Sequence, residues 1–245
     1  SDCPVAAIGD PNRRLFGLTL HPVVVHNHNG STILSNFVFH VAGCEKDWDP
    51  RHRVPQLEQQ IRERAGDRNI FFFVSGGVDS SVAFTLCLRA LGPERVTGLY
   101  VDTGLMREGE TEFVRETFAR QAPGSLEIEM ARDGFLRQLD GVIEPELKRR
   151  IIGEEFVRIQ SRLLESHHFL DGHWILGQGT IYPDTIESGG TKNASVIKTH
   201  HNRVAGIQKL IDEGRIIEPL DSFYKDEVRE VGTELGLPDE LLNRH

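Results

Sequence analysis

An α/β fold built on an open, doubly wound parallel sheet is the architecture this chain predicts, and three observations carry it. Residues 70–74 (I-F-F-F-V) form a continuous apolar run of strand length, the pattern of a strand covered on both faces. That run breaks at Ser75-Gly76-Gly77 into a helical pattern, with Val82 and Leu86 on one row and Ala83, Cys87 and Leu91 on the next, ended by Gly92-Pro93. From there strand and helix patterns alternate to about residue 235, as βα units do.

Residues 1–45 read as a unit of their own. Two short strand patterns, 5–8 and 15–20, flank a turn at Gly9-Asp10-Pro11-Asn12 and predict a hairpin. His21-Pro22 follows, and Ser31 is placed to cap a helix whose apolar face is Ile33, Leu34, Phe37 and Val38. Residues 44–55 are polar and broken by proline, the composition of a linker. Val54, Leu57 and Ile61 then mark a short amphipathic helix, so 46–68 is expected to connect the first unit to a second, 69–245. Within that second unit further strands are expected at 96–101, 126–130, 174–176 and 216–217. A long helix is expected over 145–167, with Leu147, Ile151, Phe156, Ile159 and Leu163 inward, and a closing helix over 226–235. Ligands of such sheets bind at the carboxyl ends of the strands, so the loops after Val74, Val101 and Leu176 should form one site.

Composition narrows the function classes. The formal net charge is −9, from 28 Lys+Arg against 37 Asp+Glu. Nucleic-acid surfaces need basic stripes to displace counterions, so no nucleic-acid partner is expected. The longest apolar runs are too short to span a bilayer, and residues 1–3 open no signal-peptide pattern, so no membrane partner is expected. Three cysteines (Cys3, Cys44, Cys87) are odd in number and far apart, which predicts neither a disulfide framework nor a zinc knuckle and suits a cytoplasmic protein.

The chemistry concentrates in four stretches. A strand that turns through glycines into a helix N-terminus presents free N–H groups and the positive end of the helix dipole, and glycine lets an anion approach the backbone. Ser75, Gly76, Gly77, Val78, Asp79, Ser80 and Ser81 (S-G-G-V-D-S-S) supply that arrangement. The three serines add hydroxyl donors, and Asp79 is a hard oxygen ligand for a nucleotide-bound magnesium ion. The Gly-Lys-Ser/Thr ending of a Walker A loop is missing. A serine-capped glycine turn is the plainer alternative.

In 101–107 (V-D-T-G-L-M-R), Arg107 can make a charge-assisted bond to a phosphate or simply open a solvated helix. In 177–188 (G-Q-G-T-I-Y-P-D-T-I-E-S), Gly179 and Thr180 are small, and Asp184 and Glu187 place acids at the same sheet edge. In 197–202 (I-K-T-H-H-N), Lys198 can neutralise a pyrophosphate, and His200, His201 and Asn202 can donate to phosphate or purine oxygens, unless the segment is only a capped loop with solvated histidines. A metal site from His21, His26 and His28 straddles a strand end and a loop with no carboxylate or cysteine in support.

S-G-G-V-D-S-S resembles the pyrophosphate loop of the N-type ATP pyrophosphatases, which cut ATP between the α and β phosphates and adenylate an acceptor. The four stretches in this order resemble the GMP synthetases, and the last two are specific to that family among pyrophosphate-loop enzymes. The resemblance implies a fold of the adenine-nucleotide α-hydrolase type, with adenine held near Leu99 and Val101, Asp79 on magnesium and Lys198 on the leaving pyrophosphate. It implies adenylation of xanthosine 5′-monophosphate (XMP) at the xanthine C2 oxygen, then amination by ammonia to GMP and AMP, with Arg107 and the 179–202 residues on the substrate nucleotide.

A strand ending in His-Pro, followed by a short helix, resembles the C-terminal tail of a class I glutamine amidotransferase domain. There His21 matches the catalytic base, but the orienting glutamate is replaced by Val23, so no glutaminase activity is expected from residues 1–45. The family continues into a dimerisation domain and works as a homodimer; this chain ends at 243–245 before that domain, and reads as a piece of something longer. Two alternatives stand beside this reading. One is an ATP-binding fragment or pseudoenzyme without turnover. The other is a different ammonia-dependent adenylating enzyme such as an NAD synthetase.

Overall fold

The computed structural model describes residues 5–24, 28–187 and 204–243 and divides the chain into two units, Ser1–Asp49 and Pro50–His245. In the first, β1 (Ala7–Asp10) and β2 (Leu15–Leu18) pair antiparallel around a turn in which the Asp10 carboxylate accepts the N–H groups of Asn12 and Arg13 at 3.1 and 3.2 Å. Helix α1 (Gly30–Ser35) runs on as a π-type turn over Asn36–Val41. Its N-cap is Asn29, so Ser31 lies inside the first turn and caps nothing, a correction to the reading of the sequence. The edge of Phe37 meets Phe16 at 6.2 Å between ring centroids.

The second unit opens with a 3-10 turn over Pro50–Arg53 and α2 (Val54–Ala65), which buries Val54, Leu57, Ile61 and Ala65 at helical spacing. Strand β3 (Asn69–Phe73) leads into α3 (Val78–Leu91), and β4 (Val96–Asp102) into α4 (Glu110–Gln121). After β5 (Leu126–Met130) come α5 (Arg132–Leu139) and α6 (Pro145–Ser166), whose N-cap Glu144 accepts from the backbone N–H groups of Glu146 and Leu147. Strand β6 (Trp174–Gly177) is followed by α7 (Tyr182–Glu187) and α8 (Ala205–Asp212), and β7 (Ile216–Ile217) by α9 (Lys225–Glu234) and α10 (Asp239–Leu242).

All five strands from β3 onward are parallel, in the order β5-β4-β3-β6-β7. The chain winds outward from β3 through β4 to β5, then crosses back to β6 and β7. The reversal falls between β3 and β6, where strand-end loops splay apart and leave a crevice. Alternate residues of β3 and β4 feed two cores, as the period of two demands. Ile70, Phe72, Val96 and Tyr100 pack under α2, α3, α4 and α9, while Phe71, Leu99 and Leu176 pack under α5, α6 and α8.

Two glycine notches key α3 onto the first face. A Cβ on Gly177 would lie 2.2 Å from the Phe72 ring, and one on Gly98 would lie 2.7 Å from the Phe84 ring. Phe72 and Phe84 meet edge to face at 5.5 Å, so ring faces fill space that side chains on those two strands would need.

On the other face, α5 is clasped to α6 by Glu155, only 3% exposed. Its carboxylate accepts from Arg158 Nε at 2.8 Å and Nη2 at 2.5 Å, and from Gln138 Nε2 at 2.6 Å. The Arg158 bond first of all, then Gln138, outweighs burial and holds this carboxyl below the usual range. A depressed acid pKa adds stability above the unfolded value, about 4.3, and loses it as pH falls through the folded one. Glu155→Gln should therefore destabilise the chain by about 1–3 kcal/mol at pH 7. In urea denaturation the gap to the parent should close as the pH is lowered below about 4; a gap that stays constant down to pH 3 would refute the clasp.

Candidate functional site

The loop after β3 is wired from its own side chains. Ser75 and Ser80 join hydroxyl to hydroxyl at 2.9 Å, Ser80 Oγ donates to the Gly77 carbonyl at 3.1 Å, and the Gly77 N–H donates to Ser75 Oγ at 3.3 Å. The Ser75 N–H donates to Ser80 Oγ at 3.3 Å. Gly76 holds a positive φ of 79°, which an L side chain rarely adopts. It is walled in besides, because a Cβ there would sit 3.2 Å from Val114. Gly77 caps α3 with extended backbone, so the first N–H groups of the helix face the loop. Ser75 and Gly77 are exposed, whereas Ser81 is fully buried with its hydroxyl lacking a hydrogen-bond partner.

Asp79, in the first turn of α3, meets a residue that the sequence reading missed. Its Oδ2 pairs with Lys225 Nζ at 2.6 Å, while its Oδ1 is buried without a hydrogen-bond partner among the described residues. A lone carboxylate oxygen beside a phosphate cradle suits magnesium, which keeps most of its waters and takes one or two carboxylates with substrate phosphates. Among the described residues no group of three or more His, Cys, Asp or Glu gathers in the manner of an all-protein metal cage. Lys225 opens α9, where a cation opposes the helix dipole. That misfit was the available signal.

The loop after β6 is pressed against the first one. A Cβ on Gly179 would lie 2.6 Å from the Ser80 nitrogen and 2.7 Å from the Asp79 carbonyl carbon, so only glycine lets the two backbones touch. Gln178 N–H donates to the Ile217 carbonyl at 3.0 Å, Thr180 Oγ1 to Glu218 Oε1 at 2.5 Å, and Tyr182 N–H to the Phe223 carbonyl at 2.9 Å. Thr180 is thereby engaged with Glu218, a second residue missed in the sequence. Residues 182–187 are the helix α7 rather than open loop, with Asp184 Oδ2 accepting the Ile181 N–H at 3.3 Å.

After β4, Asp102 accepts from the Gly104 N–H at 2.8 Å and from Thr111 Oγ1 at 2.9 Å, which folds the 102–107 turn back on α4. Arg107 is exposed, its N–H bonded to Glu110 Oε2 at 3.0 Å, and it lies off the cavity described next.

The three strand ends share one cavity of about 690 Å³. Its walls include Val74 and Ser75, Leu99 to Val101, and Leu176 to Thr180, with Asp184 at the edge, and it is closed by apolar faces of α6 (Ile152, Phe156, Val157) and α8 (Ile207, Ile211). Ser75, Val101, Gly179, Thr180 and Asp184 are thus brought together as the sequence suggested, with Asp79 and Ser80 against Gly179. Lys198, His200, His201, Asn202 and His26 lie outside the described residues, and the Glu187 side chain is not described. His21 belongs to the first unit and is exposed, as is Val23.

A glycine-rich strand-to-helix turn at the switch point of a five-stranded parallel sheet, beside a largely apolar cavity, places the second unit in the adenine-nucleotide α-hydrolase fold. The NAD synthase family model matches residues 51–122. Two solved structures share the fold. They are the NH3-dependent NAD synthetase of Campylobacter jejuni (TM-score 0.54, 17% identity, 80% of this chain and 77% of that one) and the NMN synthetase of Francisella tularensis (TM-score 0.54, 18% identity, 81% and 75%).

Within that class the chain is similar to GMP synthases over nearly all of its own residues. It is 46% identical to the GMP synthase (glutamine-hydrolysing) of Acetivibrio thermocellus over 99% of this chain, and 41% identical to the probable GMP synthase of Leptospira interrogans serovar copenhageni over 100%. It spans 46% and 40% of those two proteins, less than half of each.

The contact at Gly179 makes a mutational test. Gly179→Ala should cost about 1–3 kcal/mol of stability, because backbone on both sides must shift. Gly153→Ala, in the middle of α6 with open space around its Cβ, should instead add about 0.5–1 kcal/mol. Thermal denaturation of the two variants compares them, and equal melting temperatures would contradict the close approach.

Proposed function

We propose that the second unit is the ATP-dependent adenylating site of GMP synthesis, acting on XMP, and that residues 1–45 are the tail of a glutamine amidotransferase domain. The observation that supports it most is the shared cavity: Ser75 of the S-G-G-V-D-S-S loop, Val101 and Thr103 of V-D-T-G, and Gly177 to Thr180 with Asp184 of G-Q-G-T-I-Y-P-D line one crevice rather than three places. The activity named for its relatives, glutamine-hydrolysing GMP synthesis, suggests the substrate class.

In this reading adenine enters the apolar part of the cavity beside Leu99 and Val101, and the triphosphate runs toward Ser75 and the N-terminus of α3. The N–H groups of Ser75 and Gly77, now bonded to Ser80 and Ser75, turn to the β and γ phosphates. The exchange replaces internal bonds with charge-assisted ones, which are roughly twice as strong. Asp79 holds magnesium through the oxygen left without a partner, and the ion when bound neutralises charge on the leaving pyrophosphate. Lys225, already beside Asp79, adds a second positive charge there, as Lys198 is proposed to do. The protein's part is positioning and fixed charge, not covalent chemistry. XMP is proposed to meet Arg107, Asp184, Glu187 and the 198–202 residues, with its C2 oxygen attacking the α phosphate. Ammonia, from glutamine in the full assembly, then displaces AMP. A cytoplasmic homodimer is the assembly that the resemblance implies; among the described residues no helix is long and apolar enough to cross a membrane.

The test is pyrophosphate release from ATP with XMP and either ammonium or glutamine. Turnover with ammonium and not with glutamine is expected, since Val23 cannot orient His21. Release with nicotinate adenine dinucleotide in place of XMP would overturn the substrate assignment. Asp79→Ala should lower release by at least about 10³-fold with the fold intact, and Lys225→Met by about 10–10²-fold. Unchanged turnover in Asp79→Ala would remove the magnesium seat from the scheme.

A further inference from the structure

The wall that α6 gives to the cavity has one polar break. Ile152, Phe156 and Val157 line it with apolar surface, and Gln160, a turn further on, lines it with a carboxamide. Gln160 is 5% exposed, and its side chain makes no hydrogen bond to any described residue. Two other buried polar side chains of the wall are engaged: Thr180 donates to Glu218, and Thr103 Oγ1 accepts the Leu105 N–H at 3.2 Å and contacts Met106 Sδ at 3.6 Å. An amide that lines the cavity with four hydrogen-bonding positions, and no described residue filling any of them, is open to a ligand that matches it.

The end of β4 offers the same cavity a second open pair. The Leu99 carbonyl accepts from the Val74 N–H at 2.9 Å, so Leu99 faces β3, while Gly98 N–H and the Asp102 carbonyl bond toward the β5 side at 2.7 and 2.9 Å. By alternation the Val101 N–H and C=O also face the β3 side, past the point where β3 has turned away, and no described backbone group fills them. A strand-end peptide with one donor and one acceptor matches the N1 and exocyclic amine of adenine.

We propose that Gln160 is a specificity-determining residue that reads the other face of the base, donating to N7 and accepting from the second amine hydrogen. The proposal rests on the cavity being the adenine pocket, as read above. Of the two edges that remain once Val101 has taken N1, the one nearer the sugar offers an acceptor alone, whereas N7 and the amine stand side by side as acceptor and donor. An amide matches that pair bidentately. Guanine presents two acceptors there and would set its O6 against the Gln160 carbonyl oxygen, so the same contact rejects GTP.

The test is calorimetric titration of the whole chain and of Gln160→Leu with ATP and with 7-deaza-ATP, which lacks the N7 acceptor. The parent should bind 7-deaza-ATP roughly tenfold more weakly than ATP; Gln160→Leu should lose roughly tenfold for ATP and no longer distinguish the two. Gln160→Glu keeps the shape without the donor and should likewise cease to distinguish them, which covers a misfolded leucine variant. Parental ATP affinity in both variants, or an N7 preference that survives in them, overturns the proposal while leaving the pocket assignment in place. A parent that binds neither nucleotide overturns both.

Discussion

The fit of α3 onto the sheet is the constraint on which the rest of the second unit depends. Phe72 of β3 and Phe84 of α3 lie in notches opened by Gly177 and Gly98, one on each neighbour of β3. Any larger residue at either position would lift the helix or split the strands, since interiors packed at crystal density have little slack. Because the helix is seated close, its N-terminus emerges directly over the end of β3. The Ser75–Gly77 turn is then short and leaves the first N–H groups of α3 facing the crevice between β3 and β6. An anion site made of backbone needs that rigidity, as its donors are not carried on side chains that can adjust.

The same economy governs the second loop. Gly179 touches the Asp79–Ser80 peptide without a side chain between them, while Gln178, Thr180 and Tyr182 are tied to the exit from β7. The two strand-end loops therefore cannot move independently, and the separation between the phosphate cradle and Asp184 is set by packing. Polar groups in the cradle are nearly all satisfied internally. Asp79 Oδ1 and Ser81 Oγ are buried with no hydrogen-bond partner among the described residues, and the Gln160 amide lines the cavity. Polar atoms left open at a cavity wall are positions that a ligand can complete.

Much of this was legible from the residues. The five strand positions, the long helix and the helix at 54–65 follow from apolar runs and helical spacing, and the convergence of the loops after Val74, Val101 and Leu176 follows from the rule for parallel sheets. What escaped has a common cause. Lys225 and Glu218 act through long-range contacts and Gln160 lines the cavity from α6, and nothing local marks them except a misfit: a cation at a helix start, or a polar residue between Phe156, Ile159 and Leu163 on an inward face. Helix α8 was missed because eight residues carry too few turns for its pattern of Ile207, Leu210 and Ile211 to stand out beside the polar stretch before it. Ser31 misled because the capping preference is shared by serine and asparagine, and Asn29 stands two residues earlier.

A chain with a net charge of −9 gains nothing from its overall field when it binds a polyanion. In the proposed reading, affinity for a nucleoside triphosphate would come from short-range terms: the dipole and N–H groups of α3, a cation at Asp79, and Lys225, which Asp79 already orients. The apolar cavity supplies the remainder through the base, where burial of a purine face needs no charge at all. The two parts answer different demands. On that reading the phosphate end is built from elements that every nucleoside triphosphate would satisfy, so discrimination among bases would fall to the cavity, to the Val101 peptide and the Gln160 amide that line it.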